Sequence, residues 1–278
     1  MGNGFSTAKR RLSTGVHVSD RFHLKPLLRS VTFHNSGFVL ALAENGVRLI
    51  QVHADLPAEE VRVADMPKDA ASHAGKSTLN DRTDFTRSGG PDGQKMRLRQ
   101  YARKIDEVLR PVLQRGEMPL ILAATEPLAS IYRSINSYQH LTERGLATSP
   151  GELTPAQLSD AARPLLDAIF AEEVAAVRNL MEERSSQGRT ILDVAHAARA
   201  AVAGAIDTLL VDIDKVVPGF VDDASGRVTF AQKDDARTYD VIDEIAVRAL
   251  FAGARVMAVR AQDLPDGVVV AAITRYPI

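Results

Sequence analysis

The chain has no cysteine and no tryptophan among its 278 residues, and aromatic residues make up only 5% of it. Without cysteine it cannot form disulfides, use a thiol nucleophile or hold a metal through thiolates, and this composition fits a reducing compartment. So few aromatic side chains do not support an extended platform for stacking bases. No run of 18 apolar residues occurs, and the N-terminal residues lack the apolar core of a signal peptide. We therefore expect a soluble, cytoplasmic protein that does not contact membranes.

The charges divide the chain into a basic half and an acidic half, although the net charge is only −1. Residues 1–146 contain 21 Lys and Arg against 15 Asp and Glu, a net of +6, whereas residues 147–278 contain 13 against 20, a net of −7. Hydrophobic residues make up 45% and charged residues 25%, close to the average for folded domains. This asymmetry predicts two packed domains with different partners, of which the basic one is suited to nucleic acid.

The first half alternates between strand and helix patterns after a polar arm at residues 1–20. Asn45-Gly46 between two apolar runs is a strong hairpin signal. The stretch from Pro67 to Asp92 is polar and is expected to be a long loop, a feature that is usually functional or disordered. The other predicted elements are strands at Phe38–Ala43, Val47–Val52, Glu60–Ala64 and Met118–Thr125, and a helix at Glu126–Ser137.

The second half predicts a small α/β sandwich. A Pro- and Gly-containing segment, Leu146–Thr154, is expected to be the interdomain linker, and Thr154-Pro155 is a typical helix start. The predicted elements are helices at 154–187, Leu192–Gly204 and Tyr239–Ala252, strands at Ile206–Ile213, Arg255–Arg260 and Val268–Tyr276, and an irregular segment at Val217–Lys233.

The most informative segment runs from Gly89 to Leu109, where a glycine-dense loop opens into a basic, amphipathic helix. A helix N-terminus offers unpaired N–H groups and partial positive charge, which suits phosphate. The predicted apolar face comprises Leu98, Ala102, Ile105, Leu109 and Val112. The candidate RNA-binding residues are Lys95, Arg97, Arg99, Arg103 and Lys104. The alternative is an ordinary loop and a solvated helix face, because Asp92, Asp106 and Glu107 reduce the local net charge.

Metal and cofactor chemistry has little support. The seven histidines show neither HxH nor HxxxH spacing, and no Walker or GxSxG motif occurs, so no metal and no cofactor are expected. Asp207, Asp212 and Asp214 lie near a strand end and could hold Mg²⁺, although a solvated strand edge is the simpler interpretation.

Four segments together resemble one known family. They are FHLKPLL followed by FVLALAENGVRLIQV, then GQKMRLRQYARKID, then PLILAATEPLASIYRSINSYQHL, and finally GAIDTLLVD with AVRALFAGARVMAVRAQDLPDGVVVAAITRY. The chain resembles the bacterial members of the archaeo-eukaryotic class-1 release factor superfamily from about Phe22 onwards. The resemblance implies an RNase H-like central domain at 21–147 and, at 150–278, a C-terminal domain with the fold of kink-turn-binding ribosomal proteins. A nuclease is not expected, because the first domain lacks a strand with the required acidic residues.

The resemblance also implies a catalytic role for Gly93 and Gln94. In classical release factors a Gly-Gly-Gln loop enters the peptidyl-transferase centre and helps water to cleave peptidyl-tRNA. Asp92 stands here where the first of those glycine residues would be, so the motif is incomplete. An amide is too weak a base to take a proton at neutral pH, so Gln94 would orient water or stabilise an oxyanion. The alternative is that Gln94 is an exposed helix residue without a catalytic role.

The resulting expectation is a release-factor-like protein that engages the ribosome or a tRNA in rescue or recycling, with peptidyl-tRNA hydrolysis as a further activity. A non-enzymatic adaptor with a degenerate loop is the alternative, and the acidic C-terminal domain could then bind a protein. Because only about twenty residues precede the match, a codon-reading domain is expected to be absent, unless the chain is a fragment.

Overall fold

The computed structural model describes residues 36–53, 56–73, 91–114, 118–232 and 238–278, with Pro91 and Asp92 described by their backbone alone. The described residues form two compact units, the first ending at Ile169 and the second running from Phe170 to Ile278. Both units combine helices with a mixed sheet, which confirms the predicted α/β class. The predicted arm at 1–20, the FHLKPLL segment and most of the predicted loop lie outside the described residues.

The first unit contains a four-stranded sheet in the order β3-β2-β1-β4. Its strands are β1 (Gly37–Ala43), β2 (Gly46–Val52), β3 (Glu59–Val61) and β4 (Leu120–Ala123). The predicted hairpin is confirmed, since β1 and β2 are antiparallel and Ala43 pairs with Gly46. β4 lies parallel to β1 on the other side.

Helices cover both faces of this sheet, which explains why β1 is apolar throughout. α1 (Pro91–Leu113) and α2 (Leu128–Ile135) pack on the face that carries Leu40 and Leu122. The first half of α3 (Pro155–Ser185) packs on the opposite face through Leu158, Ala162 and Leu166. Side chains alternate between the faces along each strand, so both helix layers bury a row of apolar residues.

The chain passes from the first unit to the second within α3, and the predicted linker, Leu146–Thr154, lies before that point. Leu146, assigned to that linker, donates its N–H to Leu122 O at 2.8 Å and accepts from Ala124 N at 3.1 Å, so it extends along β4. A 3-10 turn at Pro150–Glu152 follows. Thr154 caps α3 as predicted, because its Oγ1 accepts from Gln157 N at 3.3 Å while Gln157 Oε1 accepts from Thr154 N at 2.9 Å.

The second unit contains a sheet in the order β10-β6-β11-β5. Its elements are β5 (Thr190–Ile191), α4 (Val194–Val202), β6 (Ile206–Asp212), α5 (Val241–Phe251), β10 (Arg255–Val259) and β11 (Val270–Thr274). α4 and α5 pack on one face, and Val174, Val177 and Met181 from the second half of α3 pack on the other.

The segment predicted to be irregular, Val217–Lys233, forms most of a small three-stranded sheet, so that prediction is wrong. Its strands are β7 (Pro218–Val221), β8 (Val228–Phe230) and β9 (Tyr239–Asp240). These strands are too short to show clear alternation, and the turn between β7 and β8 depends on Gly226, with φ +67. No helix in the described ranges is both long enough and apolar enough to span a membrane.

Candidate functional site

The candidate site is the N-terminal half of α1, which begins at Pro91. Gly93 and Gln94 therefore lie inside the first helical turn, not in a loop that precedes it. The first position of a helix favours proline, because the φ of proline is already helical. The N–H that proline lacks would have no partner within the helix at this position. The Gln94 side chain is exposed, and Arg97 Nε donates to Gly93 O at 3.3 Å.

α1 is held on the sheet by its predicted apolar face. Leu98, Ala102, Ile105 and Leu109 are at most 2% exposed, and Val112 is partly buried. Tyr101 lies beside this face and donates its hydroxyl to Ala43 O at 3.2 Å. The other side of the helix is consequently presented to solvent in a fixed orientation.

A buried carboxylate fastens the middle of α1 to the segment after α2. Asp106 is 5% exposed and accepts hydrogen bonds from Ser137 N at 2.9 Å and Ser137 Oγ at 2.8 Å. Arg110 Nη2 lies 2.8 Å from the same carboxylate, and Arg110 Nε also donates to Ser137 Oγ at 2.9 Å. The negative charge of Asp106 is therefore satisfied locally and is not displayed to solvent.

Three exposed cations form a stripe along α1: Lys95, Arg99 and Arg103. They are four residues apart, so neighbouring side chains lie about 6 Å apart along the helix axis. Among the residues that the structure describes, none of the three has a carboxylate within 4.0 Å. We refer to these three residues as the α1 stripe.

The other two predicted RNA-binding residues differ from the α1 stripe. Arg97 is exposed but lies on another side of the helix, since each residue advances by about 100°. Lys104 is only 33% exposed and pairs with Glu107 at 3.2 Å. The structure therefore brings Lys95, Arg99 and Arg103 together, leaves Arg97 apart, and gives Lys104 a partner.

The three aspartates considered for Mg²⁺ do not converge. Asp207 and Asp214 are exposed, whereas Asp212 is 1% exposed and accepts the Asp214 N–H at 3.0 Å. Within the described ranges, no group of three His, Cys, Asp or Glu residues could hold a metal ion.

Sequence reasoning missed a cleft of about 290 Å³ in the first unit, beside the β1–β2 turn. Its lining includes Arg48 and Lys68, which are far from each other in sequence and carry no motif. The Asn45-Gly46 pair is a turn signal, and no sequence motif connects it with Lys68 or Gly151.

A family model described as "Bacterial archaeo-eukaryotic release factor family 11" matches residues 34–172, half of the chain. The match covers both the α1 stripe and the segment that follows α2. The comparison with curated proteins found no significant match.

Three solved structures of translation factors are similar to this chain, and one of them, with a TM-score above 0.5, shares its fold. An archaeal Pelota, from a model of ribosome-bound Pelota and ABCE1, is 15% identical with a TM-score of 0.53, and the match covers 88% of this chain and 62% of Pelota. The Dom34 protein of S. cerevisiae is 13% identical with a TM-score of 0.38, over 87% of this chain and 63% of Dom34. An archaeal translation termination factor, aRF1, is 13% identical with a TM-score of 0.26, over 92% of this chain and 67% of aRF1. The chain thus spans less than two thirds of the length of Pelota and Dom34.

Proposed function

The chain belongs to bacterial archaeo-eukaryotic release factor family 11, and we propose that it engages the RNA of a ribosome or a tRNA through α1. A role in ribosome rescue or recycling is part of this proposal, as is a place in the cytoplasm. The archaeal Pelota with the same fold was captured on a ribosome, which supports the choice of partner.

The observation that carries the proposal is that, among the residues that the structure describes, no carboxylate lies within 4.0 Å of the three cations of the α1 stripe. Two acids, Asp106 and Glu107, follow these cations in the sequence, but Arg110 and Lys104 satisfy them. The side chains of Lys95, Arg99 and Arg103 are exposed, so a phosphate can approach them from solvent, and Arg97 adds a fourth exposed cation nearby. A rigid helix that offers regularly spaced cations binds a phosphate backbone without requiring a particular base sequence.

The finer fold assignments belong to the same proposal. We propose an RNase H-like central domain near residues 21–147 and a C-terminal domain near 150–278 with the fold of kink-turn-binding ribosomal proteins. Helices on both faces of a mixed sheet in the first unit, and a smaller helix-covered sheet in the second, support these assignments.

Peptidyl-tRNA hydrolysis is the enzymatic form of this function, with Gln94 as the principal residue and Gly93 as the second. Both precede the α1 stripe on the same helix, so RNA bound by the stripe would lie close to the Gln94 amide. Gln94 is exposed, so Gln94→Ala should leave the fold intact and abolish cleavage of peptidyl-tRNA on ribosomes. Equal cleavage by the wild type and the variant would exclude this role.

A non-enzymatic adaptor is the second candidate, and one observation favours it. Asp92, Gly93 and Gln94 lie in a regular helical turn that starts at Pro91, where a classical release factor would have a Gly-Gly-Gln loop. The adaptor would bind the ribosome through the same stripe and would not cleave peptidyl-tRNA. Its acidic second unit would then be free to bind a protein partner.

Ribosome co-sedimentation tests the shared claim of both candidates. Replacing Lys95, Arg99 and Arg103 by Gln should abolish pelleting with ribosomes at low salt. A control variant with Arg178, Arg199 and Arg227 replaced by Gln removes the same charge from exposed positions in the second unit and should pellet like the wild type. Loss of pelleting in both variants would show that net charge alone controls ribosome binding. That result would contradict a role specific to α1.

A further inference from the structure

The cleft beside the β1–β2 turn is formed by three separate segments of the first unit. The hairpin contributes Asn45, Gly46 and Arg48, the segment before the helical turn at 70–73 contributes Lys68, and the 3-10 turn contributes Gly151. Ala41, which lines the cleft, belongs to the core formed with α3, and Arg48 of the cleft donates hydrogen bonds to Pro150 O and Leu153 O.

Glycine at positions 46 and 151 is required neither by the backbone nor by neighbouring protein atoms. Neither residue has a positive φ, and an added Cβ would lie 3.9 Å from Lys68 O at Gly46 and 3.6 Å from Asn45 Oδ1 at Gly151. Every other described glycine outside α1 has a positive φ or a neighbour within 3.0 Å of an added Cβ, such as Gly145, at 2.5 Å from Leu122 O. Both glycines line the cleft, so a side chain at either position would take up part of its volume.

The polar groups of the cleft are suited to an anion. Arg48 Nη2 donates to Pro150 O at 2.8 Å and Leu153 O at 2.7 Å, so the guanidinium is fixed in place, and its Nη1 lies 4.0 Å from Glu60. Lys68 is exposed and, within the described part of the chain, has no carboxylate within 4.0 Å. The Asn45 amide adds two donors. No acidic side chain lines the cleft.

We infer that this cleft binds a phosphate-bearing group of nucleotide size, with the phosphate held by Lys68 and Arg48. Its volume corresponds to about ten water molecules, which leaves room for more than a bare phosphate ion. The phosphate comes either from a free nucleotide or from the phosphorylated end of an RNA. This inference does not depend on the α1 stripe, and it holds whether or not the stripe binds RNA.

Isothermal titration calorimetry of the full chain tests the inference. The probes are adenosine monophosphate, inorganic phosphate, and a short RNA with and without a 5′-phosphate. We expect the nucleotide or the phosphorylated RNA to bind more tightly than inorganic phosphate. Lys68→Ala should weaken this binding about tenfold through the loss of a charge-assisted hydrogen bond. Gly151→Val should abolish it by filling the cleft, with the melting temperature of both variants close to that of the wild type.

Arg178→Ala is the matched control, since it removes an exposed cation from the second unit and should not alter binding. Binding of the phosphorylated RNA alone would identify an RNA end as the ligand, whereas binding of adenosine monophosphate would identify a free nucleotide. The inference is overturned if none of the probes binds the wild type, if inorganic phosphate binds as tightly as the others, or if Lys68→Ala and Gly151→Val both bind normally.

Discussion

Asp106 shows how a single residue changes the interpretation of α1. In the sequence it is one of three acids that reduce the positive charge of the helix. In the structure it is buried, and Ser137 and Arg110 satisfy its carboxylate. Spacing alone could not predict this, because Asp106 is three residues after Arg103 and four residues before Arg110, and both spacings permit an ion pair.

Replacing Asp106 by Ala should therefore destabilise the first unit. The change leaves Ser137 and Arg110 without their shared acceptor, at a cost of roughly 2–3 kcal/mol in the free energy of unfolding. Chemical denaturation measures this directly. Glu107→Ala removes an exposed partner of Lys104 and should cost less than about 0.5 kcal/mol. Equal losses in the two variants would show that burial of Asp106 has no energetic importance.

Two buried tyrosines predict a loss of stability at alkaline pH. Burial raises the pKa of Tyr101 and of Tyr132 above the ordinary value of 10.0, and nearby Asp69 and Asp106, respectively, add to the effect. Below pH 10 both hydroxyls are protonated in the folded and the unfolded chain, so the full stability is present. Above pH 10 the unfolded chain releases these protons and the folded chain does not, so stability falls as pH rises.

Each tyrosine should lower the free energy of unfolding by about 1.4 kcal/mol per pH unit in that range. Tyr132→Phe and Tyr101→Phe should each reduce this slope in denaturation curves measured between pH 9 and 11.5. Tyr276→Phe, which changes a tyrosine that is 51% exposed, is the control variant. If neither Tyr101→Phe nor Tyr132→Phe changed the slope, the loss of stability could not be attributed to the buried tyrosine hydroxyls.

At the scale of elements, the sequence predicted the long, periodic parts of the fold and missed the short ones. The β1–β2 hairpin has a strong turn signal, and α1 and α3 have long apolar stripes and, in α3, a capping pair. β5 and β9 contain two residues each, which is too few for any periodicity. Leu146, at the start of the predicted linker, bonds through its backbone to Leu122 and Ala124, and composition alone does not predict such tertiary contacts.

The β7–β8 turn provides a test of how the small sheet is attached to α4. Gly226 has φ +67, and an added Cβ would lie 2.7 Å from Arg199 Cα and 3.0 Å from Ala198 O. Gly188 has nearly the same φ, +65, but no neighbour within 4 Å. Gly188→Ala should cost about 1 kcal/mol for the backbone alone. Gly226→Ala should cost at least about 2 kcal/mol more, because the turn must move off α4. Similar thermal stabilities of the two variants would show that the turn is not packed against the helix.

At the scale of the whole molecule, the basic half of the sequence places two groups of cations in the first unit. The basic half carries the α1 stripe, and the cleft at Arg48 and Lys68 adds two further cations in the same unit. The sequence identified the stripe because it lies on one helix. It could not identify the cleft, because Arg48, Lys68 and Gly151 meet only through the packing of the hairpin and the 3-10 turn.

The central claim is that the α1 stripe binds RNA phosphates, and the salt dependence of RNA affinity tests it most directly. For single-stranded RNA, each phosphate contact adds about −0.7 to the slope of log affinity against log salt concentration. Replacing Lys95, Arg99 and Arg103 by Gln should therefore weaken binding at low salt and make the slope about 2 units shallower than that of the wild type. The control with Arg178, Arg199 and Arg227 replaced should keep the wild-type slope. A stripe variant that binds with the same affinity and the same slope as the wild type would contradict the claim.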